Sequence, residues 1–322
     1  MKRRDVVRGL SAAGALAAFG GRALGQFGDQ PIRIVFPFAA GGVGDVLGRI
    51  MAEHLKAATG KIALIENRTG AAGRLGVQAV KAALPDGMTL LLTPIAPISV
   101  YPHFYKQLEY DPFTDLEPLC QLATFEFALA IAKRVPANTL EEFVVWLKAN
   151  PSEQNFATPG VGSLPYFFAL QFGQASGLKL THVSYRGSMA AVQDLVSGQI
   201  PFVITSTADF IPQHKAGMIR VLATSEKQPF IPDIPTFQDA GFNIKGTSWY
   251  AMYAPAKTPT GILDSYSKTL AEGVRTPNNS QRILAMAMQP TGTTRARLAE
   301  IQKADSEFWG PIIKASGFVP EQ

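Results

Sequence analysis

Pro37-Phe38-Ala39-Ala40-Gly41-Gly42-Val43-Gly44-Asp45 lies between two patterned runs. Before it, residues 32–36 are apolar and rich in β-formers. After it, residues 46–58 have the spacing of an amphipathic helix. The nonapeptide is therefore a strand-to-helix loop whose glycines let backbone approach a ligand closely. The first amides of the helix it opens lack intrahelical partners, and the helix dipole favours negative charge there. Strand, glycine loop and helix N-terminus together form an anion site, and we expect it to grip a small carboxylate. A plainer reading also stands: the glycines permit tight helix–sheet packing and Asp45 is an ordinary N-cap. Gly42, Gly44 and Gly48 miss the G-x-G-x-x-G spacing, and Glu66 is the nearest acidic residue for a ribose role, so a dinucleotide site is disfavoured. The Gly-Lys-Ser/Thr of a phosphate loop is absent.

A second loop repeats the device. Residues 155–158 read as a strand, Pro159-Gly160-Val161-Gly162-Ser163 as a loop, and 165–175 as a helix ended by Gly177. Around the first loop, strands are expected at 62–65 and 88–93, with a helix from the Gly70–Gly76 loop to about 84. Around the second come a helix at 140–149, strands at 180–185, 200–205 and 219–224, and helices at 189–197 and 211–216. Such alternation implies parallel sheets with right-handed crossovers. A strand at 249–254 and helices at 260–275, 279–288 and 295–314 follow, and they are expected to return and cover the first unit. The fold class is α/β with two lobes enclosing a ligand cleft. Lobe 1 is assigned 26–125 plus 249–322 and lobe 2 126–248, with crossings near 122–127 and 246–251.

The first 25 residues are set aside as a cleaved export signal: basic Lys2, Arg3, Arg4 and Arg8, a short alanine-rich apolar stretch, then Ala23-Leu24-Gly25. The Arg3-Arg4 pair also resembles a twin-arginine signal, although Asp5 and Val7 depart from that pattern, and both export routes stay open. Most of the formal net charge of +5 belongs to this leader, so the mature chain is near neutral and gives no support for nucleic-acid binding. The single cysteine, Cys120, beside Leu119 and Leu122, reads as a buried structural thiol. With four scattered histidines no metal site is expected, nor any cofactor. No later stretch is apolar for long enough to cross a bilayer. No G-x-S-x-G elbow is present, and no nucleophile is paired with a base by signature. Ser163 is placed to cap a helix or donate to a ligand oxygen. His54 and His182 read as structural residues within a helix and a strand.

Several blocks, in order, resemble one family. They include Pro31-Ile32-Arg33-Ile34-Val35 with the first loop, Glu66-Asn67-Arg68-Thr69-Gly70-Ala71-Ala72-Gly73, and Pro85-Asp86-Gly87-Met88-Thr89-Leu90. They continue with Tyr110-Asp111-Pro112, His182-Val183-Ser184-Tyr185-Arg186-Gly187, Pro232-Asp233-Ile234-Pro235-Thr236 and Trp249 with Ala254-Pro255. The mature chain is thereby similar throughout to the Bug family, the periplasmic substrate-binding proteins of tripartite tricarboxylate transporters. The resemblance implies a type II periplasmic-binding-protein fold that captures carboxylated small molecules by lobe closure. It implies that Phe38, Ala39, Ala40, Gly41, Gly42, Val43 and Asp45, with Thr158, Gly160, Val161, Gly162 and Ser163, hold one carboxylate through backbone N–H groups and ordered water. Asp45 orders the loop in this reading, since like charges repel. The histidine that follows the second loop in the family is missing here, and Tyr166 is a candidate replacement. Thr205, Ser206, Thr207 and Asp209 are candidates for the far end of the ligand, Phe125 and Phe127 for an apolar wall, and Arg68 and Arg186 for ion partners. A monomer working with membrane transporter subunits or a sensor is expected. The alternative is a small α/β oxidoreductase or hydrolase using the same cleft. A dicarboxylate, an amino acid, an aromatic acid or an amide all fit such loops.

Overall fold

The computed structural model describes residues 30–185, 187–316 and 318. The expected export signal, 1–25, and Arg186 lie outside them. Strand β1 (Ile32–Phe36) feeds α1 (Val43–Thr59), then β2 (Ala63–Asn67), α2 (Arg74–Lys81) and β3 (Thr89–Pro94). β2 and β3 both run parallel to β1 and flank it, the geometry of two crossovers. Apart from the exposed Arg33, β1 is apolar and buried, and β3 buries Leu90, Leu91 and Leu92, as parallel strands covered on both faces do. α1 buries Leu47, Ile50, Met51 and Leu55, and it lies so close to the sheet that a Cβ on Gly48 would come 2.8 Å from both Ile65 and Leu92. Gly60, at φ 72°, ends it by donating its N–H to the Lys56 carbonyl. α1 begins at Val43 and not near 46, so Gly44 and Asp45 belong to its first turn.

A single π turn, Ala96–Val100, leads away from β3. The chain then forms β4 (Leu116–Phe125) and, after one residue, β5 (Phe127–Ala132). The sequence reading saw only a crossing near 122–127 here. β4 pairs antiparallel with the late strand β10, and β5 with β8 and β9, so Glu126 alone separates the two sheets. The second unit comprises α3 (Leu140–Ala149), β6 (Asn155–Thr158), α4 (Leu164–Ser176), β7 (Thr181–Ser184), α5 (Ser188–Ser197), β8 (Phe202–Ser206), α6 (Thr207–Lys215) and β9 (Ile219–Thr224). Then come β10 (Ser248–Pro255), α7 (Thr260–Arg275), α8 (Pro277–Ala285), β11 (Gln289–Pro290) and α9 (Arg295–Ala315). α6 starts four residues before the expected 211 because the β8 turn passes directly into it, with Pro212 tolerated inside. α8 starts at Pro277, which suits the first position of a helix, with the Thr276 hydroxyl accepting from Asn279 N–H.

One sheet has the order β11-β4-β10-β3-β1-β2 and the other β7-β6-β8-β5-β9. This is the two-lobe α/β fold expected from the sequence. Ring contacts also join the units: Trp309 of α9 packs on Phe168, and Phe318 packs edge-on against Phe104, Tyr166 and Phe167. Cys120 is buried, and burial pushes its thiol up to about 12. Among the described residues no helix is long and apolar enough to cross a membrane, and no group of three or more His, Cys, Asp or Glu could hold a metal ion.

Glu126, at the junction, is 8% exposed. Gln228 Nε2 donates to its Oε2 at 2.9 Å, and Thr207 N–H to its carbonyl at 2.9 Å. Burial first, with the Glu226 charge adding, pushes Glu126 up to about 7. Its folded pKa thus exceeds its unfolded one. The unfolded chain sheds the proton first, so this group's contribution to stability falls as pH rises from about 4.5 to 7 and is flat above. The slope is at most about 1.4 kcal/mol per pH unit. Denaturation midpoints for Glu126→Gln are expected to change less between about pH 6 and pH 7 than those of the parent. Equal slopes would show that Glu126 titrates normally.

Candidate functional site

A cavity of about 210 Å³ opens between the two units. From the first come Phe38–Ala40 and Gly42–Gly44 of the first glycine loop, Pro94–Ala96, Tyr101, and Phe125 with Ser248 and Tyr250. From the second come Phe127, Pro159, Ser163–Pro165, Gly187–Ala190 at the start of α5, and Thr205, Ser206 and Asp209 where β8 enters α6. The first turns of four helices, α1, α4, α5 and α6, therefore border one small space. Each brings backbone N–H groups without intrahelical partners and the positive end of a helix dipole. Among the described lining residues there is no lysine, arginine or histidine.

The first loop is held from behind. Asp45 accepts from Gly41 N–H at 3.2 Å, from Arg49 Nε at 3.0 Å and from Asn67 Nδ2 at 2.9 Å, while the same Asn67 amide donates to the Phe38 carbonyl at 3.1 Å. Burial raises the Asp45 pKa, but these hydrogen bonds outweigh it and hold the carboxyl below the usual range. The N-cap position belongs to Gly42, so Asp45 is not the N-cap that the plainer reading supposed. From the third helical position it reaches back to the loop. Gly41, at φ 93°, lets the chain turn into the helix.

The second loop has its own anchor. Thr158 Oγ1 donates to the Gly160 carbonyl at 3.1 Å and lies 2.7 Å from His182 Nε2. Burial lowers the His182 pKa to about 4, so the ring is neutral at pH 7. Ser163 stands at the N-cap of α4, but its hydroxyl turns back to donate to the Gly160 carbonyl at 2.7 Å. Gly162, at φ 72°, sits so close to the first unit that a Cβ would fall 2.5 Å from Phe104 Cζ.

Of the residues expected at the site, Phe38, Ala39, Ala40, Gly42, Val43, Ser163, Thr205 and Asp209 line the cavity, as do Phe125 and Phe127. Gly41, Asp45, Thr158, Gly160, Val161 and Gly162 are not among the described lining residues, and of these Asp45 and Thr158 are buried beside the loops they hold. The Tyr166 ring packs against His182, Phe156 and Phe318 and is not part of the lining. Arg68 stands near Glu66 at 3.9 Å, away from the cavity. Sequence reading missed Asn67, Ser188, Met189 and Tyr250. The Gly187-Ser188 junction was the available signal, a glycine at a helix start like the two already recognised. Tyr250, stacked on Phe125 at 4.9 Å, gave none, since it reads as an ordinary strand aromatic.

The family model described as Tripartite tricarboxylate transporter family receptor matches residues 47–318. A UPF0065 protein of Bordetella bronchiseptica is 32% identical over 90% of this chain and 87% of its own. The periplasmic binding protein BugD superposes with a TM-score of 0.85 at 26% identity, over 90% of this chain and 99% of that one. Rpa4515 of R. palustris, solved with adipate, gives 0.86 at 26% identity, over 90% and 98%.

Proposed function

This chain belongs to the tripartite tricarboxylate transporter receptor family, and from that premise we propose that its cavity captures one small organic carboxylate. It is a solute-binding protein and not an enzyme. The observation that carries the ligand class is the convergence of four helix first turns on a space whose described lining has no basic side chain. Oriented amides and dipoles can replace the water around a carboxylate without a charged partner. The adipate bound by Rpa4515 is consistent with that chemistry.

In this reading Phe38, Ala39, Ala40, Gly42, Val43 and Ser163 contact the carboxylate, and Gly41 turns the loop toward it. Asp45, Thr158, Gly160, Val161 and Gly162 fix the two loops. Thr205 and Asp209 meet the remainder of the ligand. Residues 26–125 with 249–322 form one lobe and 126–248 the other, supported by the membership of the two sheets. Ligand contacts to both lobes favour the closed arrangement. Membrane transporter subunits then recognise it. Residues 1–25 direct export to the periplasm, by the general or the twin-arginine route, and the mature protein acts as a monomer.

The test is thermal shift of the stripped mature protein against a panel of organic acids. An acid at about 100 times its Kd adds roughly 2.7 kcal/mol of stability. Gly42→Val should abolish the shift while costing the unliganded fold no more than about 1 kcal/mol, the penalty of a poorer N-cap, because the Cβ there meets Ser188 Oγ only at 3.9 Å. A shift by a nucleotide and by no acid would overturn the proposal.

A further inference from the structure

The cavity contains a carboxylate of its own. Asp209 is 7% exposed and lines the space beside Thr205, Ser188 and Tyr250. Thr205 Oγ1 donates to its Oδ2 at 3.1 Å, and the Ser188 hydroxyl faces the same group. Both are neutral donors. Among the described lining residues there is no basic side chain to serve Asp209 as a countercharge. Buried charges ordinarily have one. Burial pushes Asp209 up to about 6, the direction expected of a carboxyl without a cation, and still leaves it mostly ionised at pH 7.

A second polar group of the same turn is also unsatisfied. Ser206 is 5% exposed and lines the cavity, and its hydroxyl has no hydrogen-bond partner among the described residues. It occupies the N-cap of α6 without making the cap bond. A buried hydroxyl left alone is costly unless a ligand meets it. The rest of the wall is aromatic. Tyr250 stacks on Phe125, Phe127 packs edge-on against Phe125, and Phe38 lies across from Phe36. Such ring faces accept an apolar body and also attract a cation.

We propose that the cavity selects a monocarboxylate bearing a protonated amine and an apolar or aromatic body, the amine seated between Asp209, Ser206 and the aromatic wall. The inference rests on the carboxylate-binding reading above and narrows its ligand. The helix first turns take the ligand carboxylate, and Asp209 takes the ammonium that neutralises it. A dicarboxylate would instead set its second carboxylate against Asp209 in a space of low dielectric, where like charges repel strongly.

Titration calorimetry on the stripped mature protein, with ligands that share one body, tests this. One set is phenylalanine, 3-phenylpropionate and 2-benzylsuccinate. The other is leucine, 4-methylpentanoate and isobutylsuccinate. In at least one set the amine should bind about tenfold or more tighter than the plain acid, with the succinate weakest. Asp209→Asn should cut the amine's advantage to about threefold or less. The unliganded Asp209→Asn protein should still unfold cooperatively, since the amide oxygen can accept from Thr205 Oγ1 as the carboxylate does. A plain acid or dicarboxylate that matches the amine overturns the inference, as does an amine preference that survives Asp209→Asn. Binding of adipate with no amine-bearing ligand bound overturns it too and leaves the carboxylate reading standing. Failure of every carboxylate in both sets and in the thermal panel overturns the reading beneath it.

Discussion

Replacing Gly44 with alanine is expected to weaken ligand binding by more than about tenfold and to destabilise the unliganded fold by about 1–3 kcal/mol. The added Cβ would fall 2.6 Å from Phe36 Cζ and 2.7 Å from Tyr250 Cε1. Neither ring can move aside cheaply. Phe36 is buried against Phe38, and Tyr250 is pinned flat on Phe125. The clash is relieved only by lifting the first turn of α1 or by driving a ring into the cavity. Either motion displaces the amides that would meet the carboxylate. Chemical denaturation and calorimetry with the acid found in the thermal panel measure the two effects. A variant within about 0.5 kcal/mol and twofold of the parent would show the α1–β10 contact to be slack.

Asp45→Ala is expected to cost about 1–3 kcal/mol, from a backbone N–H and a half-buried side-chain amide left without the acceptor they share. Arg49, the third donor, is about half exposed at 54% and regains water, so its loss adds little. The damage falls on the loop: Gly41 loses its tether, and Asn67 keeps only the Phe38 carbonyl. Affinity should therefore fall by at least about tenfold as well. The hydrogen bonds depress the folded pKa of Asp45, so its stabilisation is present above the unfolded value, 3.8, and is lost as pH falls through the folded one. The parent and Asp45→Ala should thus converge in stability under strong acid. Curves that stay parallel down to about pH 2 would assign the stabilisation elsewhere.

Much of this was legible because the glycine loops carry local signals. The strand before Pro37, the amphipathic run after it and the second Pro159–Ser163 turn are each contained in a short window. What stayed hidden depends on contacts distant in sequence. The run 116–132 is mostly apolar, its polar residues Glu117, Gln121, Thr124 and Glu126 follow no strand or helix period, and Pro118 lies inside it, so periodicity gives no sign that one strand ends at Phe125 and another begins at Phe127. The start of α1 was misplaced for a related reason. Gly42 and Gly44 have poor helix propensity, and only the proximity of Phe36 and Tyr250 explains why a glycine occupies the first turn. Asn67 sits in the Glu66–Gly73 block, but its side chain has no role until β2 lies beside β1. Tyr250 acquires one only when β10 comes to rest between β3 and β4.

That placement of β10 has a consequence for assembly. β3 ends at residue 94 and β4 begins at 116, yet the strand that fits between them starts at 248. The first sheet therefore cannot close until most of the polypeptide exists. At roughly 5–20 residues per second the wait is on the order of ten seconds. The strands of the second sheet all lie between residues 127 and 224, so every strand partner in it has been made by then. Order of synthesis and order of completion are thus inverted: the half that begins the chain is the half that finishes last. Until then β3 and β4 each carry an open edge, the form in which a chain can still be threaded, held by a chaperone or mispaired with another copy.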